Sequence, residues 1–441
     1  MASTATDLNH LDRSTKTAGA AFFWLSAFYV VYCARPEDML PGLGFVPLAK
    51  ITGIAAFLAF LFGSSKGKRK FRDLPTESFF VLAMVGILIL SSLLSPVWKG
   101  GALSKTLDFG KVYIVWVLTF LLVTNLARLR RIVFIQAACV PMVCLLSIVK
   151  GGDRARLDGV LGGIYSNPND LAFAIVLSLP FCLMFLLATR SKFRKLVWAA
   201  AMLVMAKALF MTASRGGFIT LLVAGTVCLW HFGVRGKRFY LIALVALVGL
   251  ILFAAEGNIL SARLASMWSE RSDLHTRQEK KAYDSFEERQ FVMKRAIEGI
   301  EHYPILGIGT GNFETYSTQW LEVHMTYLQI AVEGGIPSLI LYLMFFSRGF
   351  MNLRQLFKRR NLSPELKLFL GALHSSLVGF AVGALFSPEA YQFFPYFAVA
   401  YTSALLALVR ENERAAAPVL QVAPQPPREA WRQPAGVPLN T

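Results

Sequence analysis

Three side chains of this 441-residue chain could carry phosphate and sugar chemistry, and all three stand at or between apolar runs. Arg215 begins one run and is followed by two glycines, Arg289 lies in the charged stretch 256–324, and His324 ends that stretch. A guanidinium stays charged and donates two hydrogen bonds at once, which suits a pyrophosphate. A histidine has a near-neutral pKa and can take a proton from a sugar hydroxyl. We therefore expect Arg215 and Arg289 to bind an anionic lipid-linked substrate and His324 to be the general base.

Each of these residues also has a structural interpretation. Arg215 could extend its charged end to the membrane interface, because long basic side chains do this near helix ends. Arg289 could be a solvated surface residue, and His324 could serve packing alone. What favours the functional interpretation is that the three residues are predicted at one membrane face, together with a glycine-rich turn at 304–313.

Further polar residues near the same face are candidates for a supporting role. Lys207 precedes Arg215 by about two helical turns and could add positive charge deeper in the cavity, or simply be a packed lysine. Glu333 follows His324 inside an apolar run, where an unpaired carboxylate is costly, and we interpret it as structural or orienting. The loop before residue 171 supplies Arg154 and Arg156 as a cationic rim, and Asn169 as a helix cap or a contact to sugar hydroxyls.

Several classes of chemistry lack their sequence signals. The chain has no Walker A loop, no Asp-X-Asp pair, and no cysteine or histidine pair at metal-ligand spacing. We therefore expect no metal and no cofactor. The net charge of +18 is not arranged as a basic stripe with interleaved aromatic residues, so nucleic-acid binding is not expected.

Composition predicts an all-α polytopic membrane protein, because 55% of the residues are hydrophobic and only 16% are charged. We predict about twelve transmembrane helices within a membrane domain at 18–410. A cytoplasmic segment, 1–17, would precede this domain, and a disordered Pro- and Ala-rich tail, 411–441, would follow it. The predicted spans are 18–34, 46–63, 78–95, 112–127, 132–149, 171–188, 196–212, 218–232, 239–255, 325–346, 368–386 and 392–409.

The short basic loops set the predicted orientation. Lys and Arg concentrate in alternate loops, which stay cytoplasmic. Both termini are then cytoplasmic, and the long loop 256–324 faces the periplasm of a bacterial inner membrane. Within this loop the apolar spacing predicts a helix over 285–303, ended by Pro304. The basic loops are 66–72, 128–131, 190–195, 235–238 and 348–367.

With these residues assembled, the chain resembles the O-antigen ligase family, which shares a superfamily with O-antigen polymerases. The likeness covers roughly residues 18–410, and includes the span count and the long outer loop before a late span. The early Ala34-Arg35-Pro36-Glu37-Asp38 is similar to the exosortase-associated O-glycosylation ligases of this superfamily. The matching segments are Ser214-Arg215-Gly216-Gly217, Asn167-Pro168-Asn169, Arg289 through Pro304 to Gly311-Asn312-Phe313, and His324 with Tyr327-Leu328 and Glu333-Gly334-Gly335.

The resemblance implies an inverting, metal-independent glycosyltransferase. Its donor would be a glycan on undecaprenyl pyrophosphate, and its acceptor a hydroxyl of lipid A core, another lipid or a protein. His324 would be the base, and Arg215 and Arg289 would bind the donor pyrophosphate. The family often has Asn directly after this histidine, whereas Met325 stands here. A neighbouring hydrogen bond is thereby lost, which bears on how the acceptor is positioned.

Two alternatives stay open from the sequence. A polymerase of the same superfamily would use the same residues to lengthen a lipid-linked glycan. A flippase or transporter of lipid-linked oligosaccharide would also need many spans and a cationic cavity. A transporter site is expected near the bilayer midplane on broken helices, whereas the three candidate residues are predicted at one face.

Overall fold

The computed structural model describes residues 19–39, 42–64, 67–151, 156–157, 165, 167–265, 277–359 and 362–416. This part of the chain is helical and contains no β-strand. The helices are α1 (Ala20–Ala34), α2 (Pro36–Met39), α3 (Leu48–Phe62), α4 (Thr76–Leu93), α5 (Lys99–Leu122), α6 (Leu126–Gly151), α7 (Pro168–Ala188), α8 (Lys192–Thr212), α9 (Arg215–Leu229), α10 (Tyr240–Ala265), α11 (Arg277–His302), α12 (Phe313–Tyr316), α13 (Thr326–Phe357), α14 (Pro364–Gly383) and α15 (Phe393–Ala416).

The predicted fold class is confirmed. Each of the twelve predicted spans coincides with a helix. Within the described ranges, eight helices are long and apolar enough to cross a membrane, and α1, α3 and the first part of α10 are shorter apolar helices. The protein is therefore an all-α polytopic membrane protein.

Two predicted loops are partly helical. The predicted spans 78–95 and 112–127 imply an outer loop at 96–111, and this prediction is wrong. Helix α5 begins at Lys99 and buries Ala102, Thr106 and Phe109 on one face. Burial of this helical face stabilises the helix by more than the three glycines of the stretch destabilise it. In the long loop, α10 continues to Ala265 and the predicted loop helix begins at Arg277 instead of 285, although it ends at His302 before Pro304 as expected.

The terminal segments were predicted at 1–17 and 411–441. Residues 1–17 and 417–441 lie outside the described residues. Helix α15 extends through the predicted boundary at 411 to Ala416. Near the end of α15, Glu411 forms an ion pair with Arg69, with 2.8 Å between Nε and Oε1. This ion pair connects α15 to the loop before α4.

Helix α14 contacts both α7 and α9, which carry Asn169 and Arg215, while α13 packs on α4, α11 and α15. We use the term site end for the end of the bundle where α8 and α14 terminate and α7, α9, α13 and α15 begin. The basic end is the opposite one, where α7 and α13 terminate and α14 begins.

Candidate active site

A tight turn between α8 and α9 presents Arg215. Ala213 has a left-handed conformation, with φ 47°, and the Ser214 hydroxyl caps α9 by accepting a hydrogen bond of 3.1 Å from the Gly217 amide. Such a cap satisfies a backbone donor that a helix start otherwise leaves open. Arg215 is the first residue of α9 and is only 7% exposed. The turn thus fixes a buried cation at the site end.

The two glycines after Arg215 serve packing. A Cβ atom on Gly216 would lie 2.5 Å from Cβ of Phe386, and one on Gly217 would lie 2.6 Å from Cβ of Ala172. These glycines let α9 approach α7 and the loop after α14. The Gly217 amide is moreover already bonded to the Ser214 hydroxyl.

Asn169 and Arg156 join this turn. The Ser214 hydroxyl donates to Oδ1 of Asn169 at 2.8 Å, and Arg156 donates from Nε to the Thr212 carbonyl at 2.8 Å. Arg156 also reaches Asn169, with 3.5 Å between Nη2 and Oδ1. The helix cap of α7 is Asn167, which accepts from the amides of residues 169 and 170, so Asn169 is not the cap. Arg154 lies outside the described residues.

The glycine-rich segment 304–313 docks into a break in α13. At Gly335 the helix takes φ 76°, and the Ile336 amide there donates to the Pro304 carbonyl at 2.8 Å. The amides of Ile308 and Gly309 donate to the carbonyls of Val332 and Glu333 at 2.9 and 3.0 Å. Backbone bonds thus replace those that α13 loses at the break. Three backbone hydrogen bonds therefore connect the segment to α13.

Side chains from α4 and α5 complete the binding of this segment. Asn312 donates from Nδ2 to the Ser95 hydroxyl at 2.8 Å and to the Ile308 carbonyl at 2.9 Å. Thr106 donates to the Thr310 hydroxyl at 2.8 Å. The early start of α5 is what brings Thr106 here. The segment 304–313 is therefore fixed by both backbone and side-chain hydrogen bonds and forms the lower boundary, or floor, of the candidate site.

Glu333 lies inside the break, 2% exposed. Its carboxylate faces the backbone amides of Gly311 and Phe313 and the phenol of Tyr391. Its Oε2 atom is buried without a hydrogen-bond partner among the described residues. These surroundings fit the structural or orienting role that we expected.

Arg289 and His324 are neighbours above this floor. Both are half-buried, and Nε of Arg289 is buried without a hydrogen-bond partner in the described part of the chain. Burial, and then the charge of Arg289, lower the pKa of the His324 imidazole to about 4. Burial likewise lowers the pKa of Arg289, which nevertheless remains a cation. His324 is therefore neutral at physiological pH, as a proton acceptor must be.

Helix α11 holds Arg289 in place through a small apolar core. Val292 and Ala296 of α11 pack with Ile308 and Phe313 of the docked segment and with Val332 of α13. These contacts follow the helical spacing seen in the sequence. The arginine is thereby positioned relative to the loop that carries His324.

The loop between α14 and α15 connects the two halves of the site. Thr326, just after His324, donates its amide to the Ala384 carbonyl at 2.8 Å and its hydroxyl to the Ser387 carbonyl at 2.6 Å. The Ser387 hydroxyl lies 3.1 Å from Oε1 of Glu389 and 3.4 Å from Oδ1 of Asp170. Asp170 follows Asn169, which bonds to Ser214 beside Arg215. Hydrogen bonds of residues close in sequence to His324 and Arg215 thus link the two loops that carry them.

The sequence reasoning missed Asp170, Ser387 and Glu389. Burial, and then the Asp170 carboxylate, raise the pKa of Glu389 well above its ordinary value. The available signal was an acidic residue beside an apolar run at the predicted outer face. Lys207, by contrast, is exposed on α8, whereas Arg215 is buried. The position of Lys207 therefore does not support our expectation that it adds positive charge deeper in the cavity.

Among the described residues no group of three or more His, Cys, Asp or Glu side chains could hold a metal ion. The site consists of buried and half-buried cations, a neutral imidazole and a buried carboxyl with a raised pKa, gathered at one end of a helical membrane bundle. Residues 200–343 match a family model described as O-antigen ligase, so this segment of the chain is similar to that family.

The matching segment begins within α8 and ends within α13, so it contains Arg215, Arg289, His324 and Glu333 but neither Arg156 nor Asn169. No curated protein matches the chain. The family match indicates a membrane glycosyltransferase-like enzyme that uses a lipid-linked glycan in a bacterial inner membrane.

Proposed function

We propose that this protein transfers a glycan from undecaprenyl pyrophosphate to an acceptor hydroxyl on the periplasmic side of the inner membrane. The observation that carries the proposal is the pairing of a neutral imidazole, His324, with the half-buried guanidinium of Arg289 whose Nε has no partner among the described residues. A phosphate oxygen would give that buried donor a partner. The imidazole beside it can then take the proton of the attacking hydroxyl.

The proposed step is an inverting displacement. The acceptor oxygen bonds to the anomeric carbon on the side opposite the pyrophosphate, and the anomeric C–O bond to the pyrophosphate breaks. The hydroxyl proton goes to His324, and the bonding electrons leave with the pyrophosphate. Arg289 and Arg215 stabilise the charge that develops there, which is the role of preorganised donors in catalysis. No metal takes part in this proposal.

The charge of the substrate assists the base. A bound pyrophosphate next to Arg289 offsets the cation that lowers the pKa of His324, so the imidazole becomes a stronger base when the donor is present. The acceptor is a hydroxyl of lipid A core, of another lipid or of a protein. Met325 and the exposed segment around Trp320 lie next to His324 in the chain, and we expect acceptor selection in this region.

The test is glycan transfer by the purified chain in liposomes that contain undecaprenyl-pyrophosphate-linked glycan and lipid A core. We expect His324→Ala and Arg289→Gln each to lower the transfer rate at least about a hundredfold, since a general base contributes about that much or more. His302→Ala and Lys294→Gln are the matched controls, because both residues are exposed on α11. Full transfer by the His324→Ala protein would overturn the proposal.

The product separates this function from a polymerase. A ligase attaches the whole glycan to the separate acceptor, whereas a polymerase lengthens the lipid-linked glycan when no acceptor is added. A transporter would move labelled lipid across the liposome bilayer without forming a bond. The gathering of the candidate residues at the site end, rather than midway along the helices, favours transfer over transport.

A further inference from the structure

A cavity of about 1030 Å³ opens at the basic end, on the far side of the bundle from the candidate active site. Helix α9 and the turn after it span 20 residues between the two ends, or about 30 Å at the helical rise. The cavity lies between the start of α6, the end of α7, the turn after α9 and the connection from α13 to α14. Six cationic side chains line it: Arg130, Arg190, Arg235, Arg238, Arg359 and Lys367.

Most of this charge is not neutralised. Glu365 is the one carboxylate among the described lining residues, and it pairs with Arg130 at 3.0 Å. Arg359 pairs with Glu413 at 3.1 Å. In the part of the chain that the structure describes, the remaining four cations have no carboxylate within 4.0 Å. Cations that converge on one cavity repel each other unless an anion enters it.

A second cavity at the same end shows the contrast. It is smaller, about 390 Å³, and its lining includes Arg69 and Arg348. Arg69 pairs with Glu411 at 2.8 Å, and Arg348 lies 3.6 Å from Glu77. The protein thus supplies its own carboxylates there. The lining of the smaller cavity contains three carboxylates, Asp73, Glu77 and Glu411, for four cations, whereas the described lining of the larger one contains one carboxylate for six cations.

Irregular backbone presents two of the unneutralised cations. Helix α9 passes into a π-helical turn, Trp230–Val234, in which the Arg235 amide donates to the Trp230 carbonyl at 2.8 Å. The chain then reverses, and the Arg238 amide donates to the Gly233 carbonyl at 2.7 Å. π-Helical turns are rare and are frequent at functional sites. Here the turn places Arg235 and Arg238 on the same cavity.

The cavity wall is also partly apolar. Leu126, Leu187, Phe232, Phe357 and Leu368 line it together with the cations. A free phosphate would need only the cations, whereas a phospholipid would place its phosphate among the arginines and its chains against the apolar wall. Clusters of basic residues at the cytoplasmic leaflet attract anionic lipid in this way.

We propose that this cavity binds the phosphate-bearing head group of an anionic phospholipid. The site is separate from the candidate active site and does not depend on the proposed glycan transfer. It lies at the face that the basic loops assign to the cytoplasm. An occupied cavity would join α6, α7, α9 and α14 through one anion, and so would stabilise the bundle around the helices that carry Arg215 and Asn169.

The experiment titrates the purified full-length chain in detergent with dioctanoyl phosphatidylglycerol, dioctanoyl phosphatidylcholine or inorganic phosphate. Native mass spectrometry gives the affinity, and thermal unfolding gives the stabilisation. We expect retention of phosphatidylglycerol and a higher unfolding temperature, with little effect of the other two. If inorganic phosphate binds and stabilises equally well, the lipid assignment is wrong and the site takes a soluble anion.

Two charge-matched double variants complete the test. Arg235→Gln with Lys367→Gln removes two lining cations and should weaken phosphatidylglycerol binding by about tenfold or more. Arg194→Gln with Lys358→Gln removes two exposed cations that do not line the cavity, and should weaken binding by less than about threefold by the same reasoning. Equal losses in the two variants would overturn the site. If the first variant does not fold, Lys367→Gln alone is compared with Lys358→Gln alone, under the same criterion.

Discussion

At the scale of single residues, the candidate site depends on two ionisable groups held in unusual states. The imidazole of His324 is kept neutral by burial and by the adjacent guanidinium, and burial and Asp170 raise the pKa of the Glu389 carboxyl. A neutral base beside Arg289 leaves the positive charge of this arginine available to a pyrophosphate. The titration of both groups can be measured directly.

Arg289→Gln should raise the pKa of His324. The pKa of about 4 reflects burial first and the arginine second, so removing the arginine moves it part of the way toward the ordinary 6.5. The stability that neutral His324 contributes is present above about pH 6.5 and is lost as the pH falls toward 4. Histidine NMR titration measures the shift, with His324→Gln used to assign its signal among the six histidines. An unchanged midpoint would show that the arginine does not act on the imidazole.

Glu389→Gln should be tolerated, because glutamine reproduces the shape and neutral charge of a protonated glutamate. Glu389→Leu removes the oxygen that faces the Ser387 hydroxyl and should lower the free energy of unfolding by about 1–3 kcal/mol. Thermal unfolding in detergent compares the two variants. A loss of similar size in both would mean that Glu389 is ionised, and that its charge is what matters.

At the scale of elements, the break in α13 organises the site. A helix normally satisfies its own backbone groups, and here the docked segment 304–313 does so instead. The arrangement requires a residue with positive φ at 335. Glycine adopts this conformation without steric cost, whereas other residues are strained there.

Gly335→Ala should therefore disrupt the docked segment. An added Cβ would lie 2.1 Å from the Ile305 carbonyl oxygen, and the left-handed backbone adds about 1–3 kcal/mol of strain. We expect a lower unfolding temperature and loss of glycan transfer. Gly225→Ala on α9 is the control, because nothing lies within 4 Å of its added Cβ, and it should be neutral or stabilising by about 1 kcal/mol.

At the scale of the whole molecule, two cationic regions lie at opposite ends of one helical bundle. At the site end Arg215 is buried and Arg289 is half-buried, and at the basic end the cations line an open cavity. The positive-inside pattern assigns these ends to opposite sides of the membrane. This assignment is a prediction about orientation that labelling can check.

A single cysteine at either end should react from opposite sides. All five native cysteines are buried, so background labelling by a membrane-impermeant thiol reagent should be low. We expect Glu301→Cys, exposed on α11, to react in intact spheroplasts. Lys358→Cys, exposed at the end of α13, should react only after permeabilisation. The reverse pattern would place the candidate active site in the cytoplasm.

The sequence by itself determined the helical membrane class and the approximate positions of the spans, and it singled out Arg289 and His324 as candidate site residues. These follow from local signals, since apolar length predicts a span and residue type limits the chemistry. Tertiary structure decided which residues meet. Thr106 contacts Thr310 across 204 positions and Ser387 lies near Asp170 across 217. The burial that shifts the pKa values of His324 and Glu389 likewise arises only when distant helices pack together, and no local pattern records it.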